Sequence, residues 1–318
     1  MQRRQFISTT AAATAATLAM PALAQAAPAT RFTIILDWFV NPDHAPLFAA
    51  RYCGAFARAG LDVKLIAPTD PDLPPRLLAA GKADACLSYQ PQLYLLVDQG
   101  LPVRRTGTLI DKPLNTLTAL RASGIKTLSD LKGRRIGYSV AGMETVQIGT
   151  MLKSVGLGLG DVTLVNINFN LVTSLQSKEV DAVIGTFRTY EDIQLAQAGL
   201  DPVIFYPEQH GVPAAEELIL LSAVAGLKNP ALPRFLAALQ EGMTALLADP
   251  AAMLTPFLKD NPSLNDKLDI ASWQALPPYF AKHPAVLDTA RYLTYRDFLA
   301  QAGLIKTALP LADYAVQL

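Results

Sequence analysis

Between Leu36 and His44 the chain reads Leu-Asp-Trp-Phe-Val-Asn-Pro-Asp-His. Eight residues set out a carboxylate at Asp37, an indole at Trp38, an amide at Asn41, a second carboxylate at Asp43 and an imidazole at His44. Such a set suits acid–base catalysis, a metal site, a clamp on a small ligand, or the cap of a helix. Three other short segments carry similar side chains: Ser88-Tyr89-Gln90, Ser139-Val140-Ala141-Gly142-Met143-Glu144 and Phe187-Arg188-Thr189-Tyr190-Glu191. Catalysis by a serine triad is not credible, because Ser88 and Ser139 sit in no elbow motif that would fix a base beside them. A metal site is weak, since His210 and His283 have no partner at ligand spacing. Cys53 and Cys86 read as small buried apolar residues more readily than as a disulfide.

The clamp reading has more behind it. Trp38, Tyr89, Phe187 and Tyr190 offer aromatic faces that can sandwich a planar heterocycle, worth about 0.5–1.5 kcal/mol beyond area burial. Asp37 and Glu191 are carboxylates able to accept two N–H bonds from an amidine-like edge such as an aminopyrimidine. The plainer alternatives stand beside these. Asn41-Pro42 opens a turn, Asp43 can N-cap the next helix, and His44 can be a satisfied first-turn histidine. Glu191 suits a helix start, where the dipole favours an acid. Gly137-Tyr-Ser-Val-Ala-Gly142 before a helix resembles an anion cradle, although its spacing is neither a dinucleotide nor a P-loop fingerprint.

The elements that must position these residues alternate. Strands are expected at 32–36, 63–67, 85–88, 104–110, 135–139, 162–167, 182–186, 203–206 and 218–224. Helices are expected at 46–58, 73–80, 91–98, 145–155, 171–178 and 190–198, several ending in glycine. This alternation implies parallel sheets built from βαβ units. Beyond about residue 228 the pattern is helical only, with breaks at Pro230, Pro250, Pro262 and Pro277-Pro278.

An internal duplication organises the chain. Leu78-Ala-Ala-Gly-Lys-Ala-Asp84-Ala85 and Leu175-Gln-Ser-Lys-Glu-Val-Asp181-Ala182 each end a helix and enter a strand, with Leu six residues before Asp-Ala. Two such α/β lobes suggest a cleft between them. In α/β sheets ligands bind beyond the carboxyl ends of the strands, where all four segments fall.

The totals restrict function further. The 27 basic and 27 acidic residues balance, so no basic stripe points to nucleic acid. Arg3-Arg4-Gln5-Phe6-Ile7 precedes an uncharged Ala/Thr/Leu stretch, and Ala22-Leu23-Ala24 and Ala24-Gln25-Ala26 fit the small-x-small cleavage rule. Residues 1–26 therefore read as an export signal of the twin-arginine type, removed near Gln25 or Ala27. Without Arg3 and Arg4, 25 basic residues face 27 acidic, a net charge near −2. No other stretch approaches the roughly 18 apolar residues of a membrane span, so an exported periplasmic protein is expected.

Leu36 to Ala50 resembles the Leu-Asp-Trp-x-x-Asn-x-x-His signature of the thiamine-pyrimidine precursor-binding proteins, with Asp37, Trp38, Asn41 and His44 at the matching positions. These are the solute-binding components of ABC importers and are similar to the fungal thiamine-pyrimidine synthases. Asp181 to Glu191, ending in Tyr190-Glu191, resembles the family's second-lobe segment, and Ser88-Tyr89-Gln90-Pro91 also looks familial. The likeness spans roughly residues 32 to 225, the helical tail agreeing in type. It implies an α/β type II periplasmic-binding-protein fold, with lobe 1 formed by 28–113 and 207–318 and lobe 2 by 114–206. It also implies an amino-substituted or formylated pyrimidine held by stacking and a glutamate, with an inner-membrane ABC permease as partner of a monomer. The expected ligand contacts are Asp37, Trp38, Asn41, His44, Ser88, Tyr89, Ser139, Gly142, Phe187, Arg188, Tyr190 and Glu191. No cofactor is expected.

Departures from the family pattern are Val40, Pro46, the less Gly-rich turn at 139–144 and Arg188-Thr189, and Arg188 favours an anionic group. Riboflavin-type, sulfonate and nitrate ligands stay open. The competing class is an enzyme like the fungal synthases, which consume pyridoxal phosphate and a histidine of their own in what resembles an iron-dependent single turnover. This chain lacks their clustered cysteines, and an export signal separates it from cytosolic iron and cofactor.

Overall fold

A computed structural model describes residues 28–318, and the expected export signal lies outside the described residues. Ten strands follow in chain order: β1 Thr30–Ile35, β2 Leu61–Ile66, β3 Ala85–Ser88, β4 Val103–Ile110, β5 Asn115–Leu120, β6 Arg135–Tyr138, β7 Thr163–Asn166, β8 Ala182–Phe187, β9 Pro202–Phe205 and β10 Leu218–Ala223. They form two five-stranded sheets, ordered β2-β1-β3-β10-β4 and β7-β6-β8-β5-β9. Each sheet has one plan. A parallel trio (β2, β1, β3 or β7, β6, β8) is extended by two antiparallel strands. The chain crosses from the first sheet to the second between β4 and β5, and returns between β9 and β10.

The sequence duplication has a structural cause. Asp84 accepts the Thr33 N–H through Oδ2 at 2.8 Å while its own N–H donates to the Thr33 carbonyl. Asp181 does the same to Arg135, with its Oδ2 2.9 Å from the Arg135 nitrogen. In both lobes one aspartate thus ties the entry of the third parallel strand to the first. Charge-assisted bonds to backbone N–H groups are among the stronger ones a turn can make.

The helices are α1 Ala45–Tyr52, α2 Ala55–Arg58, α3 Pro74–Ala79, α4 Gln90–Asp98, α5 Gly149–Lys153, α6 Leu171–Gln176, α7 Glu191–Gln197, α8 Ala231–Ala248, α9 Pro250–Asp260, α10 Lys267–Ala275 and α11 Thr289–Gln301. The C-terminal helices complete the first lobe. Phe235 of α8 lies between Phe32 of β1 and Phe56 of α2, with ring centroids 4.7 and 5.5 Å away. Cys86 is fully buried, Cys53 is half-buried, and the two are unpaired.

Three elements differ from the sequence expectation. The helix expected over 46–58 is broken at Gly54, whose φ of 75° a helix cannot use and which suits glycine. The segment expected over 145–155 begins with a π-helical turn, Glu144–Ile148. β5 was not among the expected strands. Its Thr116 and Thr118 are buried, and their hydroxyls donate to Asp192 at 3.2 and 2.9 Å.

Candidate functional site

A cleft lies between the two sheets. The first lobe contributes Asp37, Trp38, Asn41, Asp43 and Tyr89. The second contributes Ser139, Phe187, Tyr190 and Glu191 from the expected set, together with Asn115, Tyr138 and the apolar Val140, Met143, Leu171 and Ile184. Apolar walls with a few placed polar groups are the usual pattern of a small-molecule site.

The turn after β1 is fixed from within its own lobe. Asn41 caps the 3-10 turn Pro42–His44, its Oδ1 accepting the Asp43 N–H at 2.8 Å. The cap is Asn41, where the sequence had suggested Asp43. His44 is fully buried. Its Nδ1 accepts the Asn41 N–H at 3.2 Å, which leaves the proton on Nε2 to be donated to Asp37 Oδ1 at 3.0 Å. The other oxygen of Asp37 accepts from the Tyr89 hydroxyl at 2.8 Å. Both oxygens of Asp37 therefore have protein donors, and His44 braces the cleft from behind without lining it.

Asp43 is different. It is buried, lines the cleft, and its Oδ1 has no partner. Burial pushes its carboxyl well above the usual range, and the neighbouring charges of Asp37 and Glu191 push the same way. Burial likewise raises Glu191 to about 7, against the pull of the Phe187 N–H that its Oε2 accepts at 2.8 Å. Tyr190 reaches across to the first lobe, its hydroxyl donating to Asp269 Oδ1 at 3.2 Å. No Lys, Arg or His is among the described residues that line this cleft.

Trp38 meets Phe169 of the second lobe edge to face at 4.6 Å, and Phe39 meets the same ring at 4.5 Å. These rings bridge the two lobes. The turn after β6 is held differently from its counterpart. Ser139 Oγ donates to the Asn168 carbonyl, and the Ala141 N–H donates across the cleft to Asp72 Oδ1 of the first lobe at 2.8 Å. The suspected anion cradle thus holds the protein's own carboxylate. Gly142, at φ 90°, lies so close to the first lobe that a Cβ there would clash with Leu95 Cδ1.

Of the expected contacts, the structure brings together Asp37, Trp38, Asn41, Tyr89, Ser139, Phe187, Tyr190 and Glu191. Ser88, His44, Gly142 and Arg188 lie outside the lining. Ser88 is buried and donates to Gln92 Oε1 at 2.7 Å. Arg188 turns away to the carbonyls of Leu114 and Asn115 at 3.2 Å each. It pairs with Glu208 at 2.9 Å and stacks on Tyr206. Asn115 and Tyr138 escaped the sequence reading, and Asp43 was read there as a helix cap. Tyr138 had a signal, as the last residue of a strand whose following turn was already suspect. Asn115 had none, because β5 itself was not expected.

Two α/β lobes, each with a parallel trio and an antiparallel pair, joined by two crossings around an aromatic cleft, define the periplasmic-binding-protein fold. The alkanesulfonate-binding protein SsuA of Xanthomonas axonopodis superposes with a TM-score of 0.70 at 15% identity, over 92% of this chain and 99% of that one. The chain belongs to the NMT1/THI5-like family, whose profile matches residues 41–253. A Haemophilus influenzae protein named for thiamine biosynthesis is 45% identical over 289 residues, 91% of this chain and 92% of the relative. The formylaminopyrimidine-binding protein of Halalkalibacterium halodurans is 32% identical over 234 residues, 73% of this chain and 71% of the relative. A 4-amino-5-hydroxymethyl-2-methylpyrimidine phosphate synthase of Saccharomyces cerevisiae is 27% identical over 294 residues, 86% of this chain and 82% of the relative.

Proposed function

We propose that this protein is the exported solute-binding component of an ABC importer, and that its ligand is an aminopyrimidine of the thiamine-precursor type. The observation that carries this reading is the lining of the cleft. Trp38, Tyr89, Tyr138, Phe187 and Tyr190 surround it, and Asp37, Asp43 and Glu191 contribute carboxyl groups with no basic residue among the described lining. Aromatic faces suit a flat ring, and carboxyl groups suit a ring that brings N–H donors. A sulfonate or nitrate would bring charge of the wrong sign. Arg188, which the sequence left as an anion contact, has its guanidinium engaged elsewhere. The binding protein among the relatives supports the same ligand class.

On this reading the ligand closes the lobes about the two crossings, and the closed monomer is presented to an inner-membrane permease. Among the described residues no helix is long and apolar enough to cross a membrane. The test is mass spectrometry of the small molecule that co-purifies, followed by calorimetry. An aminopyrimidine should bind and an alkanesulfonate should not; the reverse result overturns the reading. N-terminal sequencing of exported protein should begin near Gln25 or Ala27.

The relationship to the synthase favours a second reading, catalysis, with the consumption of a histidine that the resemblance implies. The position of His44 supports binding over catalysis. It is fully buried behind Asp37, and both ring nitrogens are engaged. Incubation with pyridoxal phosphate, iron and oxygen should leave the mass of His44 unchanged.

A further inference from the structure

We propose that Asp43 selects the ligand's exocyclic amine, its Oδ1 accepting an amine N–H. This rests on the reading of the cleft as an aminopyrimidine site and names the residue that decides it.

Three carboxyl groups line the cleft, and their commitments differ. Asp37 has a protein donor on each oxygen, His44 Nε2 at 3.0 Å and the Tyr89 hydroxyl at 2.8 Å. Glu191 accepts the Phe187 N–H at 2.8 Å and so helps to shape its own turn. Asp43 is only 3% exposed, and its Oδ1 meets no donor in the protein. A buried acceptor left unsatisfied is costly, and a ligand that supplies the missing donor recovers that cost.

Its mount is stiff. Pro42 precedes it, Asn41 Oδ1 holds its N–H at 2.8 Å, and His44 follows with both ring nitrogens bonded. The carboxyl cannot swing far to find another partner. An amine on the ring presents a donor to Oδ1. A carbonyl at the same ring position faces the ionised carboxyl acceptor to acceptor, so once Asp43 has released its proton the site rejects the oxo ring. A site built to hydrogen-bond one group discriminates strongly against an analogue that lacks it, because the buried partner is then left bare. An asparagine at 43 can turn its N–H₂ toward a carbonyl, so it should relax that choice.

The experiment is calorimetric titration, at alkaline pH where the raised Asp43 carboxyl is ionised, of wild type and Asp43→Asn with 4-amino-5-hydroxymethyl-2-methylpyrimidine and with its 4-oxo counterpart. Wild type should prefer the amino ring by about tenfold or more. In Asp43→Asn the amino ring should weaken by about tenfold while the oxo ring changes by less than about threefold, so the preference collapses. Asp43→Ser gives the same comparison should the amide variant fail to fold. Wild type that binds the amino ring, with a variant keeping the same amino-to-oxo ratio, overturns the role of Asp43 alone. Wild type that binds neither ring overturns the reading of the cleft and the role of Asp43 with it.

Discussion

The two turns that follow β1 and β6 occupy equivalent places in the two lobes, yet they are held by different means. The first, Asp37 to His44, is braced by its own lobe through His44, Tyr89 and the Asn41 cap. The second, Ser139 to Met143, leans on the opposite lobe. The Ala141 N–H is held by Asp72, and Gly142 sits against Leu95. The bonds that hold the first turn lie within one lobe, whereas one of those that hold the second crosses to the other lobe. Recognition can therefore be preorganised on the first lobe and completed by the second, which lowers the ordering cost of binding on the side where the polar contacts lie.

The largest effect should come from removing the aromatic that belongs to the rigid turn but reaches the other lobe. Trp38→Ala loses a stacking face, buried area and the contact with Phe169. Affinity should fall by about thirtyfold or more, roughly 2 kcal/mol, by calorimetry. His44→Ala should lose less affinity and more stability, because it strips a donor from buried Asp37 at a cost of about 1–3 kcal/mol in the melt. If His44→Ala abolished binding while Trp38→Ala was neutral, the division between brace and clamp would be wrong.

Glu191→Gln should come next, with about a tenfold loss of affinity. The same variant has a pH signature without ligand. The folded carboxyl sits at about 7 through burial, while an unfolded glutamate keeps its ordinary value of 4.5. Between those values the folded state holds a proton that the unfolded chain has released. The contribution to stability is therefore intact below pH 4.5 and is lost as pH rises toward 7, at no more than about 1.4 kcal/mol per pH unit. Thermal melts of Glu191→Gln should decline less than wild type across that window. Parallel melting curves would leave Glu191 with an ordinary carboxyl.

The smallest effect sharpens the comparison most. Asp72→Ala removes a carboxylate that ties the second turn to the first lobe. Asp72 is half-exposed, so affinity should drop only about two- to fivefold. Melting without ligand should hardly change, and scattering should still show compaction on binding, reached at higher ligand concentration. A fall in the melting temperature as large as that of His44→Ala would show the two turns to be held alike.

The sequence by itself determined the elements and their duplication. Strand and helix periods are local properties of the chain, and the Asp84 and Asp181 repeats mark a bond that each lobe makes between the first and third strands of its parallel trio. The placement of the suspect side chains at strand carboxyl ends followed from the same alternation, which is why Asp37, Trp38, Tyr89, Phe187, Tyr190 and Glu191 were legible before any coordinates. β5 was not legible, because buried threonines look like a polar connection until Asp192, more than 70 residues away, is seen to accept from them. Only the tertiary structure decided which way each turn residue faces. Arg188 turns out toward Glu208 and Tyr206, His44 turns in behind Asp37, and Asp43 faces the cleft with an oxygen unspent. Periodicity fixes where a side chain is attached. Its direction at an irregular turn is set by hydrogen-bond partners that the fold brings from distant parts of the chain.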